Sequence, residues 1–114
     1  MSQACLFCKI IAGDIPATPL YEDEDVLAFN DINPQAPTHI LVIPRKHIPG
    51  PSAIEASDQL LIGKLVKAGT TLAKKAGLND GFRLVMNNGA SAGQTVFHLH
   101  MHVLGGRAMT WPPG

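Results

Sequence analysis

Charge is scarce in this sequence and evenly split. Asp, Glu, Lys and Arg make up only 16% of the 114 residues, nine basic against nine acidic, so the formal net charge is zero. Proteins that bind polyanions in general do so by releasing counterions with an excess of Lys and Arg, so nucleic acid is not an expected partner. A small domain with so little surface charge is also expected to hide surface in an oligomer. Long apolar runs are missing too: stretches such as Ile40–Ile43 are far below the roughly 20 residues that a membrane span needs. The N-terminus, Met1-Ser2-Gln3-Ala4-Cys5, carries neither a basic stretch nor an apolar one behind it. No secretory signal is therefore readable, and the cytoplasm is the expected address. Cysteine is limited to Cys5 and Cys8, a Cys-x-x-Cys pair. A reducing compartment disfavours a structural disulfide, which leaves a redox motif or half of a metal site open.

What is present fits one domain spanning residues 1–114, with 46% hydrophobic residues, a normal globular share. Cys5–Gly13 has helical spacing and a glycine to stop it. Leu20-Tyr21-Glu22 and Val26–Phe29 read as a hairpin across an acidic turn, and His39–Pro44 as a third strand. Ser52-Ala53-Ile54-Glu55 matches a capping box. Asp58–Ala76 is the clearest helix, with Leu61, Leu65, Ala68 and Leu72 on one face, Ser57 as its N-cap and Gly77 ending it. Phe82–Met86 and Val96–Leu104 complete the strands. Five strands around one long helix, with no βαβ alternation, predict an α+β domain with an antiparallel sheet.

Three of the five histidines fall within five residues, at His98, His100 and His102. Alternate residues of a strand share a face, about 6.6–6.8 Å apart, so these imidazoles line one face and Phe97, Leu99, Met101 and Val103 the other. A single flat strand is a poor cage for a tetrahedral metal. A phosphate-ester site fits better, with one imidazole attacking phosphorus while its neighbours donate to oxygen. His39, from a separate strand, is a candidate fourth member. The loop ahead of the strand, with Asn87, Gly89, Ser91, Gly93, Gln94 and Thr95, offers side-chain and backbone donors to an anion.

His98-Leu99-His100-Met101-His102-Val103-Leu104 resembles the signature of the histidine triad superfamily, histidines alternating with apolar residues. The flanks resemble its nucleotide-binding branch: Phe7-Cys8-Lys9-Ile10-Ile11, the run from Asp31 to His39, and Leu104–Arg107 with Trp111-Pro112-Pro113-Gly114. The resemblance covers essentially the whole chain. It implies an α+β fold whose sheets join across a homodimer, and hydrolysis of purine nucleoside phosphoramidates such as AMP–amine conjugates. By that resemblance His100 is the nucleophile that forms a nucleotidyl-imidazole. His102, Asn87, Gln94 and Thr95 hold the phosphate, with His39 and His98 completing the catalytic cluster. Asp31 takes the ribose hydroxyls, and Phe7, Ile10, Phe29 and Ile32 form the slot for the base. The superfamily's transferases carry Gln at the third triad position, so His102 implies hydrolysis. Thr95 stands where the family often has Ser, and the hydroxyl is kept. No cofactor is implied for catalysis.

The resemblance also suggests a structural zinc held by Cys5, Cys8, His47 and His98; the alternative is a pair of buried thiols packed as small hydrophobes. Trp111, in a tail of glycines and prolines, is expected to dock rather than expose its ring, near the active site across the dimer. Competing readings are a dinucleoside polyphosphate hydrolase, a nucleotide-binding regulatory module with little turnover, and a Cys-x-x-Cys redox protein. The terminal Trp-Pro-Pro-Gly argues against the first, and the lack of a βαβ pattern around the cysteines against the last.

Overall fold

A computed structural model describes residues 4–114; the first three residues of the N-terminal reading lie outside the described residues. The chain runs through helix α1 (Leu6–Ala12), strands β1 (Pro19–Glu22), β2 (Val26–Asn30) and β3 (Thr38–Pro44), helix α2 (Gln59–Lys75), and strands β4 (Phe82–Val85) and β5 (Met101–Gly105). The strands form one antiparallel sheet in the order β1-β2-β3-β5-β4. This is the expected α+β architecture, with one long helix and a short N-terminal one.

The sheet is covered on both faces. In β2 and β3, Val26, Ala28, Ile40 and Val42 join Leu65, Leu72, Ala73, Leu99, Met101 and Val103 in the core beneath α2. The alternate residues Leu27, Phe29, Leu41 and Ile43 pack with Cys5, Phe7 and Cys8 on the other face, under α1. The period of two thus sorts each strand into two cores. Helix α2 sits close on β5: a Cβ at Gly69 would collide with Cε of Met101. Helix α1 ends where expected, at Gly13 with φ +83°. Among the described residues, no helix is long and apolar enough to cross a membrane.

Four expectations are corrected. The last strand begins at Met101, not Val96. Its partner β3 ends at Pro44, which has no N–H to give, and the Pro44 carbonyl accepts from Nε2–H of His98 at 2.8 Å instead. Phe97 is therefore released from the core face and is 53% exposed. The capping box is formed by Glu55 and Asp58, whereas the turn at Pro51–Ala53 has no side-chain cap and Ser57 lies inside a short 3-10 turn. In the single chain Trp111 is 84% exposed.

Candidate active site and metal cluster

The face of the sheet opposite α2 carries the site. His39 lies on this face with Leu41 and Ile43, and Leu41 is the register partner of His102. A cavity of about 700 Å³ opens here, bounded by α1 (Leu6, Phe7, Ile10), the connector Ile15–Thr18, the end of β2 (Phe29–Ile32), Leu41, Thr95, Val96, His100 and His102. A slightly larger cleft of about 780 Å³ lies beside β4 and holds Arg83 and Arg107 but no imidazole. Among the described residues, His100 and His102 line the first.

Hydrogen bonds fix the proton positions on the imidazoles. Nδ1 of His100 lies 2.8 Å from the carbonyl oxygen of His98, which can only accept. Nδ1 therefore carries the proton, and Nε2 keeps its lone pair. Nδ1 of His39 accepts the backbone N–H of Gln35 at 3.0 Å, so its proton is on Nε2. That N–H donates to Nδ1 of His102 at 2.8 Å, with a carboxylate oxygen of Asp31 3.4 Å away. His102 in turn holds its proton on Nε2, the nitrogen left free for a ligand. The result is an unprotonated nitrogen on His100 beside an N–H donor on His102, ring centroids 5.0 Å apart. Burial, helped by the neighbouring His100 and His39, pushes the His102 imidazole down to about 4 against the pull of Asp31. Burial also lowers His39, again opposed by Asp31. Both rings are therefore neutral at physiological pH.

Of the residues singled out in the sequence, Phe7, Ile10, Phe29, Asp31, Ile32, Thr95, His100 and His102 line this cavity. Ile32 is fully exposed at its rim. His39 stands behind His102. Asn87, Gln94 and Trp111 are outside the lining. Gln94 is buried and its amide is spent inside the loop: Oε1 accepts the Gly89 N–H, and Nε2 donates to the carbonyls of Pro49 and Val96. Its side chain braces the loop that presents Thr95. The connector Ile15-Pro16-Ala17-Thr18 is a wall of the cavity that the sequence reading passed over as a helix break.

His98 separates from its two companions. Its ring turns away from the cavity, with Nδ1 3.4 Å from Sγ of Cys5, 3.6 Å from Sγ of Cys8 and 3.1 Å from Nδ1 of His47. His47 Nδ1 is 3.3 Å from Sγ of Cys8. All four donor atoms lie within 4.8 Å of one another, and neither cysteine is in a disulfide. Ligand bonds of about 2.0–2.3 Å in a tetrahedral zinc site put neighbouring donors roughly 3.3–3.8 Å apart. The three sulfur–nitrogen spacings above fall in that range, and the two Nδ1 atoms stand slightly closer, at 3.1 Å. The backbone N–H of Cys8 donates to Sγ of Cys5, the kind of outer bond that steadies a thiolate ligand. His98 is held neutral chiefly by burial, and its Nε2–H donates to Pro44, leaving Nδ1 free to ligate.

The model of the HIT domain family matches residues 12–109. The chain belongs to the HIT domain family. Across its whole length this HIT protein is 53% identical to an uncharacterized HIT-like protein of Synechocystis, covering all of both chains. It is 51% identical to a 14 kDa zinc-binding protein of Zea mays, over 96% of this chain and 87% of that one. The crystal structure of a HIT family hydrolase from Legionella pneumophila superposes with a TM-score of 0.94 at 51% identity, covering 96% of this chain and 99% of the other.

Proposed function

We propose that this HIT protein is a hydrolase that cleaves the P–N bond of purine nucleoside phosphoramidates. The observation that carries the reading is the bond from Nδ1–H of His100 to the His98 carbonyl, which leaves Nε2 as a free nucleophile. Nε2 attacks phosphorus, and the P–N bond breaks as its nitrogen takes a proton from solvent and departs as the amine, a proton that hydrolysis of the adduct later returns. Water then attacks the nucleotidyl-His100, releasing the nucleoside monophosphate and restoring the imidazole. The N–H of His102 and the hydroxyl of Thr95 stabilise charge on the phosphate oxygens. Phe7, Ile10, Phe29 and Ile32 take the purine, and Asp31 the ribose hydroxyls.

The lining supports an amine over a polyphosphate leaving group. Among the described residues, the cavity wall holds no Lys or Arg, the side chains that usually clamp several phosphates. A Cys5, Cys8, His47 and His98 zinc site belongs to the same reading, supported by donor spacing and by the zinc-binding relative. There the metal supplies structure, while nucleophile and donor come from imidazoles. Reduced thiols in that role suit the cytoplasm. The free edge of β4, which pairs only with β5, and the exposed Trp111 suit a homodimer that brings each tail to its partner's cavity.

The test is turnover of AMP and GMP phosphoramidates with several amines by the wild type and His100→Ala. Loss of turnover with retained AMP binding supports the hydrolase. A wild type that binds AMP but turns over none of the series identifies a binding module and overturns the reading.

A further inference from the structure

We infer that the Cys5, Cys8, His47 and His98 cluster sets the orientation of His100, with His98 as the positioning residue between them. The inference rests on the assignment of His100 as nucleophile. Residues 96–100 lie outside the sheet, so no β-ladder holds the His98 carbonyl that fixes the proton of His100. Its place is set by what grips His98 and Leu99. The His98 ring is held at Nε2 by the Pro44 carbonyl and at Nδ1 by the cluster. Leu99 is held by its N–H to the Ile48 carbonyl at 2.6 Å and by full burial in the core. Two of these four grips run through the His98 ring.

A second contact points the same way. Phe7 lies between Cys5 and Cys8 in sequence, and its ring meets His98 edge-on at 5.9 Å and His100 at 5.1 Å. Moving either thiol therefore moves a wall of the cavity as well. With metal bound at the four donors, the His98 ring, its carbonyl and Phe7 hold a single arrangement. Without it, the His98 Nδ1 grip is reduced to the His47 Nδ1 contact at 3.1 Å and weak thiol hydrogen bonds, and the His100 ring gains freedom to turn. The consequence falls on the chemical step, because His100 must meet phosphorus in one geometry. Phe7 is the slot residue whose ring meets His98, while Ile10, Phe29 and Ile32 keep the other sides of the base slot, so binding is expected to change less than the chemical step.

His47 is the place to test this, since it reaches the cluster without lining the cavity. His47→Ala removes one donor, whereas His47→Cys keeps four. The zinc-depleted His47→Ala protein is expected to lose about tenfold or more in kcat, with its dissociation constant for AMP changed less than about twofold. His47→Cys loaded with zinc is expected to restore kcat. Nitrogen-15 spectra of the His100 ring are expected to show one Nδ1–H form in the zinc-loaded wild type and mixed forms in zinc-depleted His47→Ala. A zinc-free, folded His47→Ala protein with wild-type kcat and an unchanged His100 spectrum overturns the inference, as does a wild type that takes up no zinc. If His47→Ala does not fold, the wild type is compared with zinc and with the larger cadmium ion; a His100 ring signal identical in both overturns it. The ring spectra need no turnover, so failure of the hydrolase reading is told apart from failure of this coupling.

Discussion

His39 and His102 share one proton, donated from Nε2 of His39 to Nδ1 of His102 across 2.8 Å. Because Gln35 already fills the other nitrogen of His39, the direction of that donation is fixed. It also fixes which edge of His102 presents an N–H to a ligand. His39→Ala removes this lock, and kcat for an AMP phosphoramidate is expected to fall by about 10- to 100-fold, somewhat less than deletion of a direct oxyanion donor. Steady-state kinetics check it; an unchanged kcat contradicts the relay.

The same pair predicts a pH dependence of stability. His102 is held down to about 4 in the folded chain, against an ordinary value near 6.5. Between these values the unfolded chain binds the proton and the folded chain does not. Stability is therefore full above about pH 6.5, falls as pH drops through the window, and levels off below about 4, by up to a few kcal/mol. His39, lowered in the same direction, adds to the slope. Urea unfolding across that range measures it, and His102→Asn is expected to flatten the curve.

Gln94 separates a brace from a ligand. Its three internal hydrogen bonds predict that Gln94→Ala lowers stability by about 1–3 kcal/mol, since a half-buried Gly89 N–H and two carbonyls lose partners. AMP affinity should change only through the displaced Thr95. An unaltered melting temperature with abolished AMP binding would show instead that the side chain holds phosphate.

Metal removal gives a stability readout of its own. If zinc completes the Cys5, Cys8, His47 and His98 set, protein purified without chelator carries close to one zinc per chain. Stripping it lowers the melting temperature by about 5–10 °C or more, because binding free energy is then part of folding free energy. Fewer than a few tenths of zinc per chain, with an unchanged melting curve, returns the cysteines to simple packing.

Trp111, exposed at the tail, predicts selectivity for the leaving group rather than stability. Deleting residues 109–114 should change the relative turnover of small and aromatic amines while the melting temperature stays within a few degrees. Equal relative rates across the amines would contradict its placement.

Much of this was legible because it is periodic. Val26–Phe29 and His39–Pro44 alternate between two cores, and the Leu61-Leu65-Ala68-Leu72 stripe marked α2 before any contact was known. The stretch Val96–His100 was not legible as a loop, because from Phe97 on it alternates in step with the strand that follows. What ends the ladder is Pro44, more than fifty positions away, together with the His98 ring that takes its carbonyl. Local pattern cannot report that. Gln94 is a related case: a polar side chain in a glycine-bearing loop reads as a ligand, and the structure places the Pro49 carbonyl 2.8 Å from its amide. Ile15–Thr18 gave no chemical signal, since a wall needs only shape. His98 belonged to two patterns at once, the triad and the Cys-x-x-Cys pair, and the structure gives its ring to the second and its carbonyl to the first.

The central claim is that Nε2 of His100 becomes covalently attached to the nucleotide. Rapid acid-free quenching of the wild type with an AMP phosphoramidate, followed by peptide mass analysis, tests it directly. The account predicts an AMP adduct on the peptide carrying His100 during turnover, absent in His100→Ala, which is also inactive. Steady turnover with no adduct at any time, together with an active His100→Ala protein, would contradict it.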